Sequence, residues 1–316
     1  MGVTLQELRI RQALSLEDKI RFSQVMIQEW YEYWKTLVYV AFSGGKDSTV
    51  LLHLIRSIFP EVPAVFCNTG LEFPEIIQFV LKTENVTILR PKKTFKQIIN
   101  KFGYPVISKK QAQYIYEVRN ANGDTATKRL RLTGIYPNGK KSPMSVLSKK
   151  WRYLVDAPFG VSEKCCHIMK TYPARAYSKR SGRFPYRGIM ASEGGNREHN
   201  YLKYGCNAFS LSSQPRSDPI SFWTEKDIWN YIEKYNVSYS KIYDMGYKRT
   251  GCIYCGFGAH MEKYPNRFQR LRRTHFKLWK YCMDQLGMKE VLKYIGIPTV
   301  VSGEQLDLKK YLEKRT

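Results

Sequence analysis

The sequence predicts an α/β protein built on a doubly wound, mostly parallel sheet, and three observations carry that expectation. Continuous β-branched and aromatic runs at residues 37–42 and 64–66 read as buried strands, the first covered on both faces, and residues 86–89 as a third strand. Between them, apolar residues recur at helical spacing. The resulting alternation of strand and helix over residues 37–101 is the pattern of parallel strands joined by crossover helices.

Taken in order, residues 3–35 mix Leu5, Leu8, Ile20, Trp30 and Trp34 with charge at near-helical spacing. One or two amphipathic helices are expected there, serving packing or a homodimer contact. The first strand ends in Ser43-Gly44-Gly45, and apolar residues over 50–58 then follow a helical period. The second strand leads to Asn68-Thr69-Gly70 and a helix around 74–82; the third leads to a helix around 95–101. Residues 103–152 break the rhythm with Gly, Pro and few long apolar runs, as an insertion or lid over the carboxyl edge of the sheet would. The sheet pattern resumes at 186–190, a helix with an acidic start runs from Thr224-Glu225 through Ile232, and a basic helix is expected over about 264–286. The expected organisation is a helical segment 1–36, a sheet domain 37–220 with a basic insertion 103–152, and a mainly helical region 221–316 that supplies Cys252 and Cys255.

The 316 residues carry 52 Lys and Arg against 27 Asp and Glu, a formal charge of +25, while 43% hydrophobic and 14% aromatic content supplies a core. A disordered basic tail is thereby excluded. The charge is localised. Residues 90–152 hold sixteen basic side chains against Glu117 and Asp124, residues 164–187 hold seven with no acid, and residues 248–280 hold nine against Glu262. Such stretches form the electrostatic footprint of a polyanion, with DNA or RNA the leading partner; Lys109, Lys110, Arg129 and Arg131 are the expected phosphate contacts. The alternative is a solubility surface or a nucleotide pocket, although one nucleotide does not require three basic stretches. No run of eighteen apolar residues exists and the start lacks the apolar stretch of a secretion signal, so no membrane span and a cytoplasmic location are expected. An odd number of cysteines, seven, fits poorly with a secreted disulfide framework and points to metal or redox chemistry.

Ser43-Gly44-Gly45-Lys46-Asp47-Ser48 lies between a buried strand and a helix, where backbone N–H groups and the helix dipole converge on an anion. Glycines let the backbone approach phosphate, and Lys46 adds a point charge. The spacing is not that of the Walker loop. Asp47 is a candidate for a direct or water-mediated Mg²⁺ contact and for the cap of a helix starting at Ser48, two compatible roles. Cys165-Cys166 and Cys252-x-x-Cys255 form two thiol pairs that together make a tetrahedral S₄ set, suited to zinc or an iron–sulfur cluster. Spacing alone favours zinc, for which adjacent cysteines are unusual.

The six-residue loop resembles the PP-loop of the N-type ATP pyrophosphatases, and Phe66-Cys67-Asn68-Thr69-Gly70-Leu71-Glu72-Phe73-Pro74 is similar to the strand-end motif of their phosphoadenylylsulfate (PAPS) reductase branch. Gly103-Tyr104-Pro105, Ser108-Lys109 and the stretch from Trp223-Thr224 to Tyr243-Asp244-Met245-Gly246-Tyr247-Lys248-Arg249-Thr250-Gly251-Cys252 extend the resemblance over roughly 37–260. It implies ATP at the carboxyl ends of the strands, cleavage between its α and β phosphates, and adenylation of an acceptor. Lys46 and Asp47 are then the catalytic members of the loop, while Asn68, Thr69, Gly70 and Glu72 approach the nucleoside and Arg197 the phosphates. Lys164-Cys-Cys-x-x-x-Lys170 and Thr250-Gly-Cys-x-x-Cys are similar to segments that hold one [4Fe–4S] cluster in adenylylsulfate reductases and in the ATP pyrophosphatases of DNA phosphorothioation. Reductases of this kind also carry a C-terminal Glu-Cys-Gly-aliphatic-His thiol segment, whereas residues 300–316 contain no cysteine. The resemblance therefore points first to an enzyme that activates DNA or RNA for sulfur incorporation, with a sulfur donor such as a cysteine desulfurase. A sulfonucleotide reductase using an external thiol, and a non-catalytic nucleic-acid-binding module on the same scaffold, are the other two readings. Cys206 and Cys282 are either persulfide carriers or packing, and Cys67 belongs to the core.

Overall fold

Among the described residues of the computed structural model, 2–211 and 214–300, eight strands form two sheets. They are β1 (Val38–Phe42), β2 (Ala64–Cys67), β3 (Val86–Leu89), β4 (Val106–Ile107), β5 (Phe184–Arg187), β6 (Asn207–Ala208), β7 (Arg216–Ser217) and β8 (Gly256–Phe257). The chain divides into two units, Met1–Pro91 with Lys170–Thr250, and Lys92–Met169 with Gly251–Thr316. The second unit thus joins residues of the expected insertion to residues of the expected C-terminal region. Residues 301–316, on which the argument about a C-terminal thiol rests, lie outside the described residues.

The first unit holds a six-stranded sheet of order β3-β2-β1-β5-β7-β6, parallel except for the β6–β7 pair. Val38, Tyr39, Val40 and Phe42 of β1 are buried, as a central strand covered on both faces requires. Phe42 pairs with Phe66 on one side, and Ala41 pairs with Arg187 on the other. The chain winds from β1 outward to β3 and then returns to β5 on the opposite edge of β1. The carboxyl end of β1 is consequently the topological switch point, where open α/β sheets place their ligands.

The amphipathic lead-in is two helices, Leu5–Ala13 and Leu16–Trp34. Ile20, Ile27 and Trp30 are buried, and the Ile27 carbonyl accepts the Tyr186 hydroxyl at 2.8 Å, so this segment packs on the sheet unit. Lys19 donates to Asp227 at 2.8 Å while Asp227 also accepts the Thr224 backbone N–H at 2.7 Å, tying the lead-in to the capping box of helix Glu225–Lys234. β5 begins at Phe184 and ends at Arg187, earlier than the expected 186–190, because the Arg187 guanidinium pairs with Asp218 at 2.8 and 2.7 Å and the chain turns after it.

In the second unit, β4 and β8 form a short parallel pair. Residues 103–152 are a folded piece with a core of their own: Ile107, Ala112, Ile115, Val118, Leu130 and Leu147 are buried. The single basic helix expected over 264–286 is instead broken at His275 (φ −137°, ψ 63°) into Arg267–Thr274 and Phe276–Lys280. Thr274 Oγ1 bonds both the Arg270 carbonyl and His275 Nδ1, at 3.0 and 2.8 Å, a local competition with the helix ladder that apolar periodicity does not register. No helix among the described residues is long and apolar enough to cross a membrane.

Candidate functional site

The loop after β1 is built by its glycines. Gly44 sits at φ +70°, and a Cβ there would meet Ile76 and Val80 side-chain carbons at 2.9 and 2.8 Å. A Cβ on Gly45 would lie 2.7 Å from Thr250 Oγ1. Helix Lys46–Arg56 starts immediately, with Gly45 as its N-cap and no side-chain cap. Asp47 is therefore inside the first turn, and the expectation that it caps a helix starting at Ser48 is corrected: the glycine pair lets the helix begin two residues earlier. Ser43 and Ser48 close the loop internally, the Ser48 hydroxyl accepting the Ser43 backbone N–H at 3.1 Å and donating to the Gly45 carbonyl at 2.9 Å.

Lys46 is only 4% exposed. Its ammonium lies 3.1 Å from Asp47 and 3.5 Å from Glu225, and its backbone N–H donates to the Tyr243 hydroxyl at 2.7 Å. Arg197, in the first turn of helix Asn196–Tyr204, pairs with Glu193, and Arg249 approaches the same carboxylate at 3.7 Å. Burial and the like charge of Arg249 pull the Arg197 pKa down, while Asp47 opposes them, which places the Arg197 guanidinium in the field of the loop, with Arg249 beside it on Glu193. The first unit thus collects Lys46, Arg197 and Arg249 around a helix N-terminus, an arrangement suited to a polyphosphate.

The parallel register of β1 and β2 sets the Asn68–Glu72 turn beside this loop. Glu72 accepts from the Thr69 backbone N–H at 2.9 Å and from its hydroxyl at 2.8 Å, Asn68 Oδ1 accepts the Gly70 N–H at 3.0 Å, and Lys170 lies 3.4 Å from Glu72. The Glu72 carboxylate thereby shapes the turn, while Gly70 is exposed and Asn68 half-buried. Phe73 stacks obliquely on Tyr247, centroids 4.7 Å apart, fastening the turn to the segment that carries Tyr243, Arg249 and Thr250.

All four expected ligand cysteines fall in the second unit. Cys165 and Cys166 share one helical turn, Lys164–Cys166, and Cys255 follows Cys252 through a tight turn whose N–H to carbonyl bond is 3.1 Å. The Cys165 thiol is held protonated by its hydrogen bond with Cys166, by burial and by the charges of Cys166, Cys255 and Cys252; burial likewise pushes Cys255 up to about 11. The four sulfurs therefore feel one another, although no three His, Cys, Asp or Glu side chains among the described residues stand in a ligating arrangement. Cys165 and Cys255, whose thiols are disfavoured from ionising by burial and by the neighbouring sulfurs, belong to a four-thiol donor set that a cation would relieve. No comparable group of carboxylates surrounds Asp47 among the described residues. Cys206 and Cys282 are buried, their thiols pushed up by that burial, Cys206 to about 12. The Cys67 thiol, half-buried rather than fully in the core, is raised to about 11 by the same cause.

Of the four expected phosphate contacts, Lys109 and Lys110 are exposed in the first turn of helix Lys109–Arg119, behind the Ser108 cap. Arg129 is exposed and lies 3.0 Å from the equally exposed Asp124. Arg131 is spent inside its unit: it pairs with Glu117, donates to the Ser145 carbonyl at 3.3 Å and covers the Tyr114 ring at 4.0 Å. Tyr243, Arg249, Thr250, Glu193 and Glu225 are the loop neighbours that sequence reasoning did not assign. Glu225, Tyr243, Arg249 and Thr250 stand within the family-like stretch 223–252, so their signal was present without a stated role.

The sequence pattern of the phosphoadenosine phosphosulfate reductase domain matches residues 37–122 and 128–256. Two uncharacterized proteins of Methanocaldococcus jannaschii are each 24% identical, over 95% of this chain and 62% of the first relative, and over 80% of this chain and 42% of the second. The chain thus spans less than two thirds of either relative's length. An adenosine 5'-phosphosulfate reductase of Geobacillus kaustophilus is 26% identical over 73% of this chain and 77% of its own.

Proposed function

Because the chain belongs to the phosphoadenosine phosphosulfate reductase domain family, we propose that it binds ATP at the Ser43–Ser48 loop and adenylates an acceptor, DNA or RNA, for replacement of oxygen by sulfur. The observation that carries this reading is the convergence of Lys46, Arg197 and Arg249 on the N-terminus of helix Lys46–Arg56. An acceptor oxygen attacks the α phosphorus, the α–β bond breaks, and pyrophosphate leaves with its charge. Loop N–H groups and Lys46 stabilise the charge that develops on that leaving group. Arg197 and Arg249 hold the outer phosphates, and the Asn68–Glu72 turn positions the nucleoside. Mg²⁺, when bound beside Asp47, offsets phosphate charge. A [4Fe–4S] cluster on Cys165, Cys166, Cys252 and Cys255, when bound, supplies a site that binds or relays sulfur.

The localised charge supports a polyanionic acceptor. Lys109 and Lys110 stand at the positive end of a helix, where two cations repel the dipole unless an anion joins them. The likeness to an adenosine 5'-phosphosulfate reductase favours the second reading, reduction of a sulfonucleotide by an external thiol. Incubating the full chain, iron-loaded under anaerobic conditions, with ATP and with or without nucleic acid separates them. Nucleic-acid-stimulated release of pyrophosphate is expected. Sulfite formed from adenylylsulfate plus thiol, with no ATP cleavage, replaces the first reading by the second. Nucleic-acid binding with neither reaction leaves the binding-module reading.

A further inference from the structure

A cavity of about 540 Å³ lies wholly within the second unit, lined by Lys150, Trp151, Tyr153, His260, Glu262 and Tyr264 among others. Its volume falls in the range of small-molecule sites. Its walls are aromatic and unequally committed. Trp151 is buried with its ring edge-on to His260 at 5.0 Å and one side covered by the Lys150 ammonium at 4.9 Å, so it forms a floor. Tyr264 is 65% exposed, and Tyr153, tilted against Tyr294 at 5.7 Å, is 42% exposed, so both rings keep surface accessible to a planar guest. His260 Nδ1 is buried and has no hydrogen-bond partner among the described residues, an expense normally met by a partner. Glu262 is occupied by Arg267, which also donates to the Cys255 carbonyl at 2.9 Å. The cavity wall and the Cys252–Cys255 turn are therefore braced by one arginine.

We propose that this cavity is a nucleobase pocket for a single-stranded segment of the nucleic-acid acceptor, a base stacking on Tyr153 and Tyr264 with one polar edge hydrogen-bonded to His260 Nδ1. Lys150 lines the cavity, and Lys149 and Lys263, which flank lining residues, are exposed, so cations stand where the phosphates on either side of a bound base would lie. Burial and Lys150 hold the His260 pKa down, which keeps the ring neutral and able to serve a base edge as donor or acceptor. A neutral peptide or lipid would leave that cationic rim without a counter-charge, and an acidic one would lack a planar ring to stack on the tyrosines. A stacked base between phosphates uses the aromatic faces, the imidazole nitrogen and the lysines together.

The proposal deepens the nucleic-acid reading above, and the test separates the two. The full chain is titrated with a short single strand carrying one fluorescent purine analogue and with the same strand made abasic at that position. Tyr153→Ala with Tyr264→Ala removes two exposed rings, and an unaltered circular-dichroism spectrum and unchanged affinity for the abasic strand show that the fold is kept. Quenching of the analogue by the unsubstituted protein is expected, with affinity about tenfold or more weaker in the double variant, an unchanged salt slope, and no effect of the variant on the abasic strand. Equal affinity of both proteins for the intact strand overturns the pocket and leaves nucleic-acid binding standing. AMP binding as tightly as the strand, with the same sensitivity to the variant, overturns the strand in favour of a free nucleotide. Absence of binding to any strand at low salt overturns both the pocket and the nucleic-acid acceptor.

Discussion

The backbone N–H of Lys46 donates to the Tyr243 hydroxyl at 2.7 Å, across 197 residues of sequence. That N–H belongs to the first turn of a helix, one of the donors left without an intrahelical acceptor. A phosphate oxygen is the other natural acceptor for it. The tyrosine ring is held independently, edge-on to Trp229 at 5.6 Å, so its hydroxyl competes with phosphate from a fixed position.

Tyr243→Phe should therefore strengthen ATP binding. The ring remains, the competing acceptor goes, and a hydrogen bond of about 1 kcal/mol corresponds to roughly fivefold in affinity. Calorimetric titration of both proteins with ATP measures it. Unchanged or weaker binding in Tyr243→Phe would show that the hydroxyl does not stand where phosphate binds.

Lys46→Met should lower ATP-dependent pyrophosphate release by at least about a hundredfold, the scale of losing one preorganised charge at a developing anion. The iron–sulfur absorbance of loaded protein should be unchanged, since the loop belongs to one unit and the four cysteines to the other. Equal turnover in Lys46→Met removes the loop as the nucleotide site.

Lys19→Met tests the anchoring of the lead-in. Lys19 and Asp227 are 2% and 8% exposed, and Asp227 also accepts the Thr224 N–H and hydroxyl, each at 2.7 Å. Removing the ammonium strands a buried carboxylate, a loss of about 3–5 kcal/mol. Chemical denaturation should report that loss, with part of it recovered in Lys19→Met with Asp227→Asn. A change below about 1 kcal/mol would mean that water reaches the pair.

Strands β1 and β2 were legible because each is a short, largely buried apolar run, and β3, whose Thr87 and Ile88 are exposed, because its β-branched residues are contiguous, signals that need no partner to be read. The Ser43–Ser48 loop was legible for the same reason: its glycines, its lysine and the following helix are contiguous. Cys165, Cys166, Cys252 and Cys255 were read as one thiol set from their spacing and the resemblance of their flanks, but the expected division put the two pairs in different domains, whereas all four fall in the second unit. What escaped is what depends on distant neighbours. Glu225 and Tyr243 reach Lys46 only after folding. β6 and β7 have two residues each, too few for any period to show. Arg131 reads as one more surface cation until Glu117, Tyr114 and the Ser145 carbonyl enclose it.

Cys206 and Cys282 should resist alkylation in the native protein at mildly alkaline pH and react fully once unfolded. The thiolate is the reactive form, and burial raises both thiols above their ordinary value. The linkage has a definite sign. A Cys206 pKa raised from 9.0 to about 12 favours the folded state below pH 9, and that stability is lost as pH rises toward 12. Mass-spectrometric mapping of alkylated peptides reads the reactivity. Rapid native labelling of either residue would restore it as a persulfide carrier.

The last prediction separates phosphate-tracking cations from structural ones within the same basic stretch. Lys109 and Lys110 are exposed at a helix N-terminus, so replacing both with Ser should make the log–log salt dependence of nucleic-acid binding shallower by about 1.4 to 1.8, the contribution of two neutralised phosphates. Arg131→Ser should leave that slope unchanged. Its guanidinium is already committed to Glu117, the Tyr114 ring and the Ser145 carbonyl, so its loss appears as about 1–3 kcal/mol of stability. Arg129 is the intermediate case: exposed Asp124 neutralises it only weakly, and Arg129→Ser should remove at most one phosphate contact. A flattened slope in Arg131→Ser, matching that of the two lysines, would mean that the arginine leaves its internal partners to meet phosphate. An unaltered slope in the lysine pair would place the phosphate-tracking surface on other basic residues.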